Sequence, residues 1–341
     1  MENNTHWAQQ KESGGAVVGI RIMLFLYALG GRFLFKSILY FVIFFYYLVS
    51  KGPRNNSKYF LSLVKEHQDR IKNELLANSS NKDSSFNLID KNYDINFFKQ
   101  YQKLSSYHHF LSFGEMILDK FASWRGKLCI ANDVNFIGNS KELLLKKEEK
   151  GRIFLCSHLG NVEALRALSK EFPEFSVNAI VFTKNAKNFN SVMKELAPES
   201  NLNLIATNSI GADTAIMLKE KIDKGEIVAI VGDRIPVEKG RNADYRTVKS
   251  LFLSKECKFP EGPFVLCSIL KCRVQILFGL KNEATKKYDL VLENFTEELK
   301  LNRKNRSEDL KKYVDEYAAR LEYYAVRYPY QWFNFFNFFE Q

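Results

Sequence analysis

Residues 152–170 read RIFLCSHLGNVEALRALSK. The apolar run Arg152–Cys156 has the length and composition of a strand buried on both faces. Ser157 to Gly160 form a turn, and Gly160 permits a tight backbone there. Asn161 suits the N-cap of a helix running to Lys170, which puts Glu163 in the first helical turn. A strand, a tight turn and a helix make one unit of an α/β sheet.

The same alternation continues outward. Short apolar runs at Val177–Thr183, Leu202–Ala206, Ile227–Gly232, Val274–Leu280 and Asp289–Leu292 predict strands. Helical stretches at Asn188–Leu196, Ala212–Lys224 and Gly262–Ile269 lie between them. The expected fold is α/β, with a central, mostly parallel sheet flanked by helices and an N-terminal membrane-associated helix. An amphipathic helix, Ser57–Leu76, a polar linker, Asn78–Ser85, and a second helical region, Phe97–Trp124, precede the sheet. A helix from Ser307 to Tyr328 follows it, with Ser307 as N-cap and Glu308 and Asp309 complementing the helix dipole. The tail YPYQWFNFFNFF (residues 328–339) is aromatic and nearly uncharged. The organisation read from this is an N-terminal membrane anchor at 1–56 and one α/β domain at 57–341. That domain divides into a helical lead-in (57–125), a sheet core (150–295) and a C-terminal helix with the aromatic tail (305–341).

The chain has 341 residues, of which 46% are hydrophobic and 14% aromatic, with Phe supplying 29. A mean hydropathy of -0.26 excludes a polytopic membrane protein, so the apolar excess is local and sits at the two ends. Lys and Arg outnumber Asp and Glu by 50 to 39, which favours anionic partners. The cations do not cluster on one helix and no aromatic-basic module is present, so nucleic acid is not an expected partner. Cys129, Cys156, Cys257, Cys267 and Cys272 lack the spacing of a disulfide framework or zinc site, and a reducing compartment is expected. No metal or bound cofactor is expected.

Between Ile22 and Ser50 the only charges are Arg32 and Lys36. The uncharged core from Ser37 to Ser50 would be roughly 21 Å long as a helix, against a hydrocarbon core of roughly 30 Å. A tilted span with Lys36 snorkelling and a dipping hairpin broken at Gly30-Gly31 both fit, while the bland alternative is a buried core helix. Arg21, Arg32, Lys36, Lys51, Arg54 and Lys58 surround the run without an acid among them. That pattern suits the cytoplasmic face of an inner membrane. The late start of the run and the missing cleavage site argue against a cleavable signal peptide.

Chemistry concentrates around His158. With the His before a helix and Glu163 just inside it, the two can meet although they are five positions apart. An imidazole oriented by a carboxylate is a general base for an acceptor hydroxyl or amine; the competing reading has Glu163 only complementing the helix dipole. There is no G-x-S-x-G, P-loop or G-x-G-x-x-G, so direct transfer without a covalent enzyme intermediate is the simpler mechanism. VGDRIP (231–236) places Asp233 and Arg234 past a strand end, where open α/β sheets bind ligands. Arg234 could hold a phosphate or form a salt bridge with Asp233. FPEGPF (259–264) enters an apolar helix, where Glu261 and backbone N–H groups could meet a headgroup. His108 and His109 read as helix residues without a direct role, and His67 as solvated.

Together HLGNVE (158–163), VGDRIP, FPEGPF and QWFNFFNFF (331–339) resemble the bacterial lipid A biosynthesis acyltransferase family. This is the lauroyl/myristoyl type within the lysophospholipid acyltransferase superfamily. The resemblance extends over nearly the whole chain, from the apolar segment preceded by Trp7 through YHHFLSFGEMILDK (107–120). It implies His158 as general base and Glu163 as the acid that orients it; Asn161, Asp233, Arg234, Glu261 and Gly262 are the candidate substrate-binding residues. It also implies acyl carrier protein or acyl-CoA as donor, a lipid A precursor or related glycolipid as acceptor, and the cytoplasmic face of the inner membrane. VGDRIP and FPEGPF look closer to a glycolipid-acyltransferase branch, in which acceptors extend to other products such as aryl polyene lipids. A non-enzymatic membrane-anchored protein is the alternative from another class.

Overall fold

The computed structural model describes residues 36–78, 103–124, 129–161, 172, 175–181, 202–206, 211–235 and 246–340. Glu163, the helix predicted after Asn161, the helix predicted at Asn188–Leu196, most of the polar linker and the chain before Lys36 lie outside these residues.

The helical lead-in comprises α1 (residues 36–49), α2 (Lys51–Asn78) and α3 (Ser106–Trp124). The short helices α4 (Ile130–Asp133) and α5 (Ser140–Leu145) flank β1 (Val134–Phe136). The sheet continues with β2 (Ile153–Cys156), β3 (Val177–Val181), β4 (Leu202–Ala206), α6 (Ala212–Asp223) and β5 (Ile227–Val231). A hairpin, β6 (Thr247–Phe252) and β7 (Lys255–Pro260), leads into α7 (Gly262–Leu270). Then come β8 (Val274–Lys281), β9 (Tyr288–Thr296) and α8 (Arg306–Arg327).

Seven strands form one sheet in the order β1-β9-β8-β2-β5-β3-β4. β8, β2, β5, β3 and β4 run parallel, while β9 turns back antiparallel beside β8 and pairs parallel with β1. The mixed, mostly parallel α/β sheet expected from the strand-helix alternation is therefore present. Its central strand explains the continuous apolar run. Ile153 and Leu155 face a large core shared with α2, α6, α7 and α8, while Phe154 and Cys156 face a smaller core with Val134, Leu144 and Leu290. Both sides are dry, so every residue of β2 must be apolar.

The hairpin β6–β7 escaped the sequence reading. Ser250, Phe252, Cys257 and Phe259 point inward, but in β6 the polar Ser250 is buried while the apolar Leu251 is exposed, which breaks the apolar period of two. Its turn residues, Leu253 and Ser254, both take positive φ (51° and 61°) without the Gly or Asn that normally marks such a turn. Two helix starts also differ. α2 begins at Lys51 with Pro53 in its first turn, so it runs unbroken through residues 56 and 57, the expected edge of the anchor. α8 begins at Arg306, with Asn305 rather than Ser307 at its N-cap.

Among the described residues no helix is long and apolar enough to cross a membrane. α1 instead packs one face on α3, with Leu39 and Ile43 buried against Gly114. Lys36 is paired to Glu115 at 2.8 Å. The opposite face is open: Phe41, Val42, Phe45 and Val49 are 49–74% exposed.

α2, α3 and the aromatic tail meet at His109, which is fully buried. Its Nε2–H donates to the Trp332 carbonyl at 3.1 Å, and its Nδ1 accepts from Ser57 Oγ at 3.0 Å. Ser57 in turn accepts from Ser106 Oγ at 2.9 Å. Burial pushes the His109 ring down to about 3 from 6.5, against the opposing pull of the carbonyl. The folded pKa lies below the unfolded one, so this contribution to stability is whole above pH 6.5 and is lost as pH falls toward 3. The loss approaches about 1.4 kcal/mol per pH unit inside that window. Replacing His109 by Gln is expected to flatten the acid side of the stability curve, which thermal unfolding of both proteins between pH 7 and pH 4 would show.

Candidate active site

β2 and β5 are neighbours in register, with Cys156 opposite Val231. Two residues beyond each strand end stand His158 and Asp233. The chain leaves β2 toward β3 and leaves β5 toward β8, in opposite lateral directions, so both loops come together at the carboxyl ends of the strands.

There the two side chains join. His158 Nδ1 lies 2.7 Å from Asp233 Oδ1. The His158 backbone N–H donates to Asp233 Oδ2 at 2.9 Å, and the Trp332 indole N–H donates to the same oxygen at 3.1 Å. A carboxylate can only accept in this arrangement, so Nδ1 carries the proton and Nε2 keeps its lone pair. Asp233 is fully buried while the His158 side chain is 34% exposed, so the free nitrogen belongs to the accessible member of the pair.

The electrostatics favour a neutral, basic imidazole. Burial against the sheet end and the Arg234 charge pull His158 below its ordinary 6.5, against the opposing pull of Asp233. For Asp233, burial works upward, but the neighbouring His158 and Arg234 outweigh it and hold the carboxyl below its ordinary range. The pair therefore stands as neutral imidazole and carboxylate near pH 7.

The loop carrying His158 is clamped on both sides. Leu159 bridges Trp332 of the tail, and Gly160 bridges Gly279 of β8. Gly160 N–H donates to the Gln331 carbonyl at 2.8 Å, and Phe333 N–H to the His158 carbonyl at 3.2 Å. Gln331 is itself fixed to β8, accepting from the Lys281 N–H and donating to its carbonyl. Gly160 has φ +80°, and a Cβ there would sit 2.3 Å from the Gly279 carbonyl oxygen. No other residue fits without moving backbone.

The remaining candidates divide. Arg234 sits beside the dyad, but its Nη2 donates to the Phe333 carbonyl at 2.7 Å and its guanidinium lies 5.4 Å over the Phe336 ring. Burial lowers it to about 10, so it remains a cation at neutral pH and anchors the tail. Asn161 is buried, with its side-chain amide donating to Tyr288 Oη at 3.2 Å, and Tyr288 passes its proton on to Asp119 at 2.7 Å. Glu261 pairs with Arg306 at 3.9 Å, and among the described residues no hydrogen bond or ion pair joins it to the dyad. Gly262 opens α7 in free space. FPEGPF acts from behind: Phe259 and Phe264 pack on Tyr317, whose hydroxyl donates to the Cys156 carbonyl at 2.8 Å. His67 is mostly covered rather than solvated, accepting from Arg70 at 2.7 Å.

Neither residue before His158 is a usable nucleophile. Burial pushes the Cys156 thiol up to about 12, and the Ser157 hydroxyl is buried and accepts from the Leu159 N–H. Among the described residues no cluster of three His, Cys, Asp or Glu could hold a metal ion. No family model matches the chain, and no curated protein matches it.

Two expectations follow. Gly160→Ala should cost on the order of 3 kcal/mol, whereas Gly262→Ala, where a Cβ meets nothing within 4 Å, should leave thermal unfolding nearly unchanged. In a ¹⁵N-histidine NMR titration His158 should protonate below 6.5, still lower in Asp233→Asn, and higher in Arg234→Met.

Proposed function

We propose that this protein is an acyltransferase of the membrane surface. It moves a fatty acyl group from a thioester of acyl carrier protein or CoA to a hydroxyl or amine of a lipid A precursor or related glycolipid. The observation that carries this reading is the His158–Asp233 pair at the sheet end, a neutral base with one nitrogen held and the other free. The resemblance through HLGNVE and the aromatic tail supplies the reaction class.

In this mechanism His158 Nε2 takes the proton of the acceptor hydroxyl as its oxygen attacks the thioester carbonyl. Asp233 stabilises the imidazolium that forms. As the tetrahedral intermediate collapses, the C–S bond breaks and the imidazolium returns the proton to the leaving thiolate. No covalent acyl-enzyme is needed, in keeping with the inert Cys156 and Ser157. Nδ1 has a single proton and Asp233 accepts it, which gives Asp233 an orienting role; Glu163 lies outside the described residues.

The open face of α1 supports the membrane setting. Several large apolar side chains exposed along one helix, followed by exposed Lys51 and Lys58, suit a helix lying in or dipping into an anionic bilayer. The site would then face the cytoplasmic side of the inner membrane, where acyl carrier protein and CoA thioesters are found.

Mass spectrometry of lipid extracts from cells with and without the gene tests the whole reading. A lipid one acyl group short in the deletion should return with the wild-type copy and not with His158→Ala, provided that variant accumulates in folded form. Lipid profiles unchanged under all growth conditions would overturn it.

A further inference from the structure

The dyad is completed by a third residue from the far end of the chain. Asp233 uses one oxygen for His158 Nδ1, and its carboxylate can still rotate about that bond unless the other oxygen is held. Oδ2 has two donors: the His158 backbone N–H, from the same residue that Oδ1 holds, and the Trp332 indole N–H, from a separate element. Trp332 is fully buried, its ring set among Phe60, Phe252 and Phe338 at 4.8–4.9 Å. Its carbonyl is held independently by His109 Nε2–H, His109 Nδ1 accepts from Ser57, and Ser57 accepts from Ser106. The indole is thus fixed at both ends, and a single residue joins the accessible histidine to the buried one.

We propose that Trp332 is a positioning residue of the dyad, fixing the second oxygen of Asp233, with His109 setting its reach through the Trp332 carbonyl. This rests on the reading of His158 as the base. Loss of the indole N–H leaves a dry acceptor unmet, so the carboxylate draws harder on the imidazole proton. The other groups facing the dyad are Arg234 beside Asp233, Lys120 from α3, Cys156 from β2 and Tyr317 from α8. Cys156 and Tyr317 are both held protonated by burial, so the positive charges of Arg234 and Lys120 form a fixed background.

The test uses the full chain in lipid nanodiscs with ¹⁵N-labelled tryptophan. The Trp332 indole resonance, assigned through Trp332→Phe against Trp7 and Trp124, should move with the same midpoint as His158. In Asp233→Asn it should shift upfield and cease to titrate. In Trp332→Phe the His158 titration should move to higher pH, and kcat for acyl transfer should fall about tenfold to a hundredfold with KM for the thioester unchanged. An indole resonance indifferent to pH and to Asp233→Asn overturns the proposal, as does a folded Trp332→Phe with wild-type kcat. If Trp332→Phe does not fold, the wild-type and Asp233→Asn spectra decide. Coupled spectra in a protein without acyl-transfer activity would uphold the positioning link and sink the function. An active protein with an uncoupled indole would do the reverse.

Discussion

A carboxylate buried without water is stable only where N–H groups replace the water it has lost, and Asp233 sets that requirement for the whole sheet end. Its three donors come from the loop after β2, twice, and from the aromatic tail. Meeting them forces β2 and β5 to be neighbours, brings the tail across the sheet end, and leaves Gly160 no room for a side chain. Arg234 follows from the same constraint. A cation one residue from the carboxylate helps hold it ionised, and by gripping the Phe333 carbonyl it secures the segment that carries Trp332.

Much of the sheet was legible because burial on both faces writes itself plainly: IFLC, VNAIV and IVAIV admit no other economical reading. The hairpin β6–β7 was not, since a polar Ser250 lies inward beside an outward Leu251 and its turn lacks the usual markers. His158 and Asp233 were each visible as strand-end residues. Their partnership was not, because it depends on β5 lying beside β2 although β3 and β4 intervene in the chain. Strand order is a tertiary property, set by crossover connections and not by any local pattern. Trp332 left still less of a trace, since in an aromatic run a packing residue and a hydrogen-bond donor look alike. The apolar composition of α1 was plain in the sequence, and the structure adds which of its faces is spent on α3.

The two histidines show how environment divides one residue type. His109 lies where no charge can be tolerated, and its two nitrogens are fully committed, one donating and one accepting. His158 has one nitrogen committed and one open, with a carboxylate to receive the charge if a proton arrives. Only the second arrangement can do acid-base work, although both rings lie close to the same tryptophan.

The grip of residues 331–333 on the His158 loop also orders events during synthesis. When the strands from β2 to β8 have emerged from the ribosome, Asp233 still lacks its indole donor and the His158 loop has β8 on one side only. A nascent chain at that stage carries most of the sheet but an unfinished His158–Asp233 pair. Only after α8 has been made can the tryptophan reach back and supply that donor. A partially made polypeptide would thus present the exposed face of α1 long before the His158–Asp233 pair was complete.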